Sequence, residues 1–175
     1  MAQPPQPPPA WPVDYTRKRA VVHTNHGAFT IRFLPHKAPL HVENFCKLAE
    51  RGYYDRTMFH RIVPGFMIQG GDPQGTGLGG DSWRGPGTTV RAEFSDVPHV
   101  KGTVSMARTD DPDSGGSQFF VCVDRADFLD GQYSAFGQVE QGYEVVEAMS
   151  RVPTNPATER PLQPVVMLSV RVVDV

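Results

Sequence analysis

The chain has 175 residues, the usual size of one domain, and its 39% hydrophobic and 21% charged residues are typical of a soluble globular protein. Its formal net charge of −2 excludes the basic excess that non-specific binding to nucleic acids needs. No apolar run approaches the roughly 18 residues that span a bilayer, and no signal-peptide pattern is visible. We expect a monomeric, cytoplasmic protein with no membrane or nucleic-acid partner, although a chain exported and then processed would have the same composition.

The first segment is rich in proline, with six prolines among the nine residues from Pro4 to Pro12. Such a segment favours an extended polyproline helix and cannot bury a core. We predict that residues 1–16 form a flexible tail and that residues 17–175 form the folded domain. A ligand for an SH3-type domain is the alternative interpretation of the tail.

Short apolar runs follow. Ala20–Thr24 and Ala28–Leu34 are separated by a turn containing Asn and Gly, which is typical of a β-hairpin. Leu40–Arg51 has apolar residues at helical spacing. Pro39 suits its first turn and Gly52 suits its end, so we predict a helix there.

Beyond this helix the apolar runs are shorter, and loops rich in glycine link them. A second helix is predicted over Tyr143–Arg151, ahead of Pro153. Two helices and about eight strands predict an all-β fold, a closed barrel with helical caps. The candidate strands after the first helix are Phe59–Val63, Phe66–Gly70, Gly102–Met106, Gln118–Val123, Ser134–Val139 and Val165–Val173.

Several motifs predict no chemistry. GTGLGG at 75–80 formally fits G-x-G-x-x-G, but the glycines and proline at 85–87 cannot open a helix, so we predict a flexible surface loop. His23 and His26 lack the further ligands of a metal site. Ser117 lacks the context of a nucleophile. Cys46 and Cys122 each lie among apolar residues and are predicted to be buried free thiols, with a disulfide left open.

The segment FHRIVPGFMIQGGD, Phe59–Asp72, carries an unusual arginine. Strand alternation places Arg61 on one face with Phe59 and Val63, and His60 on the other face as a structural histidine. A guanidinium among apolar residues must be paired or functional if it is buried. Taken alone, however, Arg61 is better interpreted as a surface residue on a barrel strand.

Two later segments change this interpretation. They are GTVSMARTDDPDSGGSQFFVCV (102–123) and DFLDGQYSAFGQV (127–139). The cyclophilin signature is what the three segments together resemble, in the order and spacing of their motifs SMA, GSQFF, FLDG and FG. At positions where the chain departs from the best-known eukaryotic members, it is more similar to bacterial cyclophilins. NFCKLAERGYYDRTMFHR and VVEAM are similar as well, so the resemblance extends from about Arg17 to Val175.

The resemblance implies a closed eight-stranded antiparallel β-barrel capped by two α-helices. It also implies peptidyl-prolyl cis-trans isomerase activity without a metal or other cofactor. The expected partners are proline-containing peptides and unfolded or partly folded proteins. By position, the resemblance implies catalytic roles for Arg61, Phe66 and Gln69, and substrate-binding roles for Met67, Ala107, Arg108, Gln118, Phe120, Phe128, Leu129 and Tyr133.

Three positions depart from the family pattern. Tyr133 stands where many members have His, and Arg108 stands where the best-known eukaryotic members have Asn. Phe128 replaces their Trp and lacks the indole N–H, so we expect weakened binding of cyclosporin-type cyclic peptides. A second function stays open: the groove could bind proline-containing peptides or client proteins as a chaperone module, with incidental turnover.

Overall fold

The computed structural model of this chain describes residues 13–175. Most of the predicted Pro-rich tail, residues 1–12, lies outside the described residues, so the division of the chain at residue 16 stays a prediction. A short 3-10 turn, Tyr15–Arg17, opens the described part. The elements that follow there, numbered in chain order, are β1 (Lys18–Thr24), β2 (Gly27–Phe33), α1 (Pro39–Glu50), β3 (Thr57–Met58), β4 (Arg61–Val63), β5 (Met67–Gly70), β6 (Thr103–Met106), β7 (Phe119–Cys122), β8 (Ala135–Gln141), α2 (Tyr143–Ser150) and β9 (Val166–Asp174).

The nine strands form one antiparallel sheet in the order β3-β9-β1-β2-β8-β6-β7-β5-β4. The predicted mainly-β class with two helices is confirmed, but a closed eight-stranded barrel is wrong: the sheet curls, and its edge strands β3 and β4 share no ladder. The predicted strand Phe59–Val63 is shorter in the structure, because Phe59 and His60 lie outside strand geometry. The chain around them therefore forms two separate edge strands, β3 and β4. β3 pairs with β9 at one edge, while β4 pairs with β5 at the other.

The predicted hairpin is formed by β1 and β2. Ala20 lies opposite Ile31 and Val22 lies opposite Phe29, and these four side chains are buried in the core. Their neighbours along each strand are more exposed, which is the alternation expected of strands with one face on a core. Gly27 has φ +121°, a value that side chains disfavour, so glycine suits the end of this turn.

Helix α1 lies against the sheet through an aromatic cluster. The ring centroid of Phe45 lies 5.0 Å from that of Tyr54, 5.3 Å from that of Phe119 and 5.5 Å from that of Phe136. All four rings are buried, and truncating one such ring to alanine typically costs about 3–5 kcal/mol. Both predicted helices are confirmed to within about one residue at each end.

Both cysteines are buried free thiols, as predicted, Cys46 on α1 and Cys122 on β7. Burial raises the pKa of Cys122 to about 12 and also raises the pKa of Cys46, so neither thiol is a nucleophile at neutral pH. No helix among residues 13–175 is long and apolar enough to cross a membrane. The same residues contain no group of three or more His, Cys, Asp or Glu side chains that could hold a metal ion.

Candidate active site

Strands β5 and β7 bury side chains on both faces of the sheet. Ile68 and Phe119 point into the main core, as strand alternation requires. Met67 and Phe120 point the other way, where they form a second apolar cluster with Leu129 from the 3-10 turn Asp127–Leu129. The second face of an antiparallel sheet is usually polar and in contact with solvent. An apolar second face is therefore either packed against other parts of the protein or is a site for a ligand.

A cavity of about 500 Å³ opens over this second cluster. Its size is that of a site for a small ligand or a peptide side chain. Apolar side chains form its floor and polar or cationic side chains form its rim. The lining residues are His60, Arg61, Phe66, Met67, Gln69, Thr76, Gly77, Ala107, Arg108, Phe120, Leu129, Tyr133, Thr158 and Arg160.

Nine of the eleven site residues predicted from the sequence line this cavity. Gln118 lines an adjoining cavity of about 200 Å³ instead. Phe128 lines neither cavity; its side chain is exposed, and its ring packs against Phe66 with centroids 5.5 Å apart. The structure thus brings the predicted residues to one region, while their individual roles stay predictions.

Arg61 begins β4 and lies opposite Gln69 of β5 in the ladder. Its Nε donates a hydrogen bond to Oε1 of Glu159 at 3.1 Å. The side chain is 41% exposed, so the guanidinium is half-buried, and Arg61 lines the cavity. One carboxylate therefore holds the inner nitrogen of this arginine at the edge of the cavity.

His60 differs from the prediction. Strand alternation places it on the opposite face from Arg61, but β4 starts only at Arg61, and Phe59 and His60 lie outside strand geometry. His60 consequently lines the same cavity as Arg61, and Phe59 enters the main core instead. Burial lowers the pKa of His60, and its Nδ1 has no hydrogen-bond partner among the described residues.

The glycine-rich segment that follows β5 is held by the buried carboxylate of Asp72. The oxygens of Asp72 accept hydrogen bonds from four backbone N–H groups and from one hydroxyl, and this carboxylate is fully buried. Burial alone raises the pKa of Asp72, but these hydrogen bonds reverse the effect and lower it below its usual value. The loop predicted to be flexible is thus fixed in place, and it brings Thr76 and Gly77 to the cavity. The donors to Asp72 are Gln74 N, Thr76 N and Oγ1, Gly77 N and Gly79 N.

Arg108 folds over the ring of Tyr133, with its guanidinium carbon 4.6 Å from the ring centroid. Its Nε donates to the carbonyl of Gln132 at 3.0 Å, which fixes the stack. The Tyr133 ring in turn meets Phe120 edge-on, with centroids 5.7 Å apart. A cation over an aromatic face contributes about 0.5–1 kcal/mol at an exposed site. The side chain of Arg108, and not only its backbone, thus helps to build the wall.

Phe120 rests on a buried polar group. The imidazole of His99 stacks against its ring, and the Nδ1 and Nε2 atoms of His99 lie 3.0 Å from Asp130 Oδ1 and 2.9 Å from Ser105 Oγ. This serine, histidine and aspartate have the order of a hydrolase triad, but Ser105 and His99 are buried and out of reach of a substrate. Ser117 is buried too and donates to the Gly71 carbonyl. Neither serine is a nucleophile.

The family model described as "Cyclophilin type peptidyl-prolyl cis-trans isomerase/CLD" matches residues 19–172. The chain belongs to the cyclophilin family. This cyclophilin is 42% identical over 158 residues to "Peptidyl-prolyl cis-trans isomerase-like 1" of Neurospora crassa, a match that covers 87% of the chain and 92% of the relative. It is 45% identical over 122 residues to a "Peptidyl-prolyl cis-trans isomerase" of Synechococcus elongatus, with 70% and 80% covered.

Some relatives are much longer than this cyclophilin. It is 42% identical over 160 residues to the mouse "Peptidylprolyl isomerase domain and WD repeat-containing protein 1", and the match covers 87% of the chain but only 24% of the relative. The chain thus spans about a quarter of the length of such proteins. Because the relatives come from an animal, a fungus and a cyanobacterium, the predicted likeness to bacterial members stays a prediction.

Solved structures agree with the fold. A cyclophilin-type peptidyl-prolyl cis-trans isomerase of Cryptosporidium parvum superposes with a TM-score of 0.85 at 30% identity, over 90% of this cyclophilin and 98% of that chain. A second structure of that isomerase, determined in the presence of the dipeptide Ala-Pro, superposes with a TM-score of 0.84.

Five lining residues were not predicted from the sequence: His60, Thr76, Gly77, Thr158 and Arg160. The signal for Thr76 and Gly77 was the acidic residue before a glycine-rich run, since a buried aspartate can organise such a loop. Thr158 and Arg160 lie far along the chain, in a segment without a motif. Only the tertiary fold brings them to Arg61.

Proposed function

We propose that this cyclophilin accelerates cis–trans isomerisation of peptide bonds before proline, in exposed segments of unfolded or partly folded proteins. The observation that carries the proposal is Arg61 standing at the edge of an apolar cavity whose floor includes Met67 and Phe120. A cavity of about 500 Å³ has room for a proline ring and its neighbouring residues. The structure of the Cryptosporidium isomerase determined in the presence of the dipeptide Ala-Pro supports a proline-containing ligand.

The chemistry explains why an arginine belongs there. The X–Pro bond is planar because of resonance, with a rotation barrier of about 18–20 kcal/mol. During rotation the prolyl nitrogen loses its conjugation and gains a lone pair. A guanidinium N–H that bonds this nitrogen stabilises the twisted state more than the planar one, which is what lowers a barrier. The reaction needs no proton transfer and no nucleophile.

The remaining side chains fix one end of the bond while the other end turns. The apolar floor takes the proline ring, and the amide of Gln69 offers hydrogen bonds to the substrate backbone. One charge-assisted hydrogen bond contributes about 1.5–3 kcal/mol, which is roughly a 10- to 100-fold gain in rate. Positioning of the substrate adds to this factor.

The test is isomerisation of a short X–Pro peptide, followed with a conformer-selective protease or by exchange NMR. We expect acceleration by the wild type and a loss of about 100-fold or more in kcat/KM for Arg61→Ala. Arg151→Ala is the matched control, because Arg151 pairs with Glu147 on α2 and does not line the cavity. Unchanged catalysis by Arg61→Ala contradicts the mechanism. Peptide binding without acceleration by the wild type instead favours a binding module.

A further inference from the structure

The segment from Thr154 to Pro161 forms a closed turn beside the cavity. A bridge joins its two end residues, and Asn155 N donates to the carbonyl of Arg160 at 2.8 Å. The carbonyl of Asn155 accepts from Glu159 N at 2.7 Å, so the turn is fixed from within. The turn is also attached to the sheet, because Ile62 N, next to Arg61 in the chain, donates to the carbonyl of Glu159 at 2.9 Å.

Glu159 holds an unfavourable backbone conformation. Its φ is +60°, and the described residues contain only one other non-glycine residue with positive φ, Arg56 at +65°. Glycine tolerates this region because it lacks a Cβ, and asparagine tolerates it because its side chain is short and polar. Glutamate has neither property. Such outliers persist where the surrounding structure demands them, and they cluster at functional sites.

The side chain of Glu159 ends at Arg61. Its Oε1 accepts the hydrogen bond from Nε of Arg61, and the two side chains are 40% and 41% exposed. Exposed ion pairs contribute little to the stability of a fold. The contact uses the inner nitrogen of the guanidinium, and among residues 13–175 no group accepts a hydrogen bond from the two outer nitrogens, so these can meet a ligand in the cavity.

We propose that Glu159 is the positioning residue of Arg61, fixing the plane of its guanidinium so that the outer nitrogens face the prolyl nitrogen. This inference rests on the proposed function. It gives a reason for a non-glycine residue at this left-handed position, since the carboxylate of Glu159 reaches Arg61 from there. It also assigns a function to a segment that the sequence motifs do not include.

Two variants separate positioning from folding. Glu159→Gly removes the carboxylate and the backbone penalty together, so its thermal midpoint should equal or exceed that of the wild type. Its kcat/KM should fall about tenfold, through kcat and not KM, since misplacement of a catalytic group costs up to about 100-fold. Glu159→Gln keeps a neutral acceptor of the same length and should lose about threefold. If Glu159→Gly fails to fold, Glu159→Asn serves in its place, because asparagine tolerates the backbone but is shorter.

The matched control is Glu140→Gln. Glu140 also accepts a hydrogen bond from an arginine Nε, that of Arg19 at 2.7 Å, and neither residue lines the cavity. This variant should keep wild-type kcat and KM. The double variant Arg61→Ala/Glu159→Gly should be no slower than Arg61→Ala alone, because a positioning residue acts only through its target.

A readout independent of catalysis is the side-chain Nε–Hε signal of Arg61 in ¹⁵N-resolved NMR, assigned with Arg61→Lys. We expect a slowly exchanging signal that shifts and broadens in Glu159→Gly but not in Glu140→Gln. Wild-type catalysis with unchanged kcat in Glu159→Gly overturns the inference and leaves the proposed function standing. An inactive wild type overturns the proposed function, and the NMR signal then still decides whether Glu159 fixes Arg61.

Discussion

Gln69 and Gln118 are joined by a hydrogen bond of 3.0 Å, from Nε2 of Gln69 to Oε1 of Gln118. Gln118 in turn donates from its own Nε2 to the carbonyl of Gly79 at 2.8 Å. The two amides thus form a chain that starts at the fixed glycine-rich loop and ends in the cavity. This chain sets which atom of Gln69 faces a substrate: its Nε2 is engaged, and its Oε1 is left to accept.

Gln118→Leu should therefore impair catalysis, although Gln118 does not line the cavity of about 500 Å³. The leucine can neither accept from Gln69 nor donate to Gly79, so the Gln69 amide becomes free to rotate. We expect kcat/KM for an X–Pro peptide to fall about 3- to 10-fold, with thermal stability nearly unchanged for this half-buried side chain. Gln138→Leu, on β8 and outside the cavity, is the control. Wild-type kinetics in Gln118→Leu would show that the amide chain has no role in catalysis.

Asp72→Asn should release the loop that lines the cavity. The asparagine keeps the shape of the side chain, but it has one acceptor oxygen and no charge where five donors converge. Leaving buried donors unpaired costs about 1–3 kcal/mol, so the unfolding free energy in urea should fall by about this amount. Faster amide hydrogen exchange at Thr76, Gly77 and Gly79 should accompany it. Asp81→Asn is the comparison and should change neither quantity, because Asp81 accepts a single exposed hydrogen bond, from Gly87 N, and asparagine keeps an oxygen that can accept it.

Acidic pH should destabilise the fold through two buried histidines. Burial lowers the pKa of His60 and of His99 below the usual value of 6.5, and hydrogen bonding to Asp130 only partly offsets this for His99. Between the lowered folded pKa and about 6.5, the unfolded chain binds more protons than the folded one. Stability is therefore present above pH 6.5 and is lost as pH falls, by at most about 1.4 kcal/mol per pH unit for each histidine.

Urea unfolding from pH 7.5 to pH 5 measures this slope. His60→Gln should reduce the slope, because one of the two histidines no longer titrates. A slope of zero or of the opposite sign in the wild type would contradict the prediction.

The rim of the cavity should favour acidic neighbours of proline. Arg61, Arg108 and Arg160 line the cavity, and no aspartate or glutamate is among the lining residues. At low salt we expect a peptide with Glu beside the X–Pro bond to be turned over about 3- to 10-fold better than one with Lys, through KM. Arg160→Glu should reduce or reverse this preference, and 0.5 M salt should weaken it. Equal kinetics for the two peptides at low salt would refute the prediction.

The sequence predicts the parts of this molecule that depend on local patterns. The β1–β2 hairpin and both helices follow from periodicity and from Pro39 and Gly52, whereas the nine cavity residues were expected from the resemblance to the cyclophilins. The periodic signals are physical, because period 2 and period 3.6 decide which side chains share a face. The same signal failed at His60, where two residues outside strand geometry break the period before Arg61.

What the sequence leaves out depends on long-range packing. Arg61 and Glu159 are 98 residues apart, and no local rule brings a carboxylate to a given arginine across that separation. The closed eight-stranded barrel was wrong for a similar reason, since local pattern indicates individual strands, but how strands divide and whether the sheet closes depend on how the edges meet. The loop at 75–80 was assigned flexibility from its glycines, whereas one buried carboxylate upstream fixes it.

The first and last strands of the described domain are hydrogen-bonded neighbours. Lys18 pairs with Asp174 in the ladder, and Val175 N donates to the Arg17 carbonyl at 2.9 Å. Polypeptide therefore enters and leaves the domain at nearly the same point. Such a domain can be inserted between other domains, or circularly permuted, without breaking the hydrogen bonds between β1 and β9. The match to the mouse relative covers 24% of that protein, so a related domain does occur as part of a much longer chain.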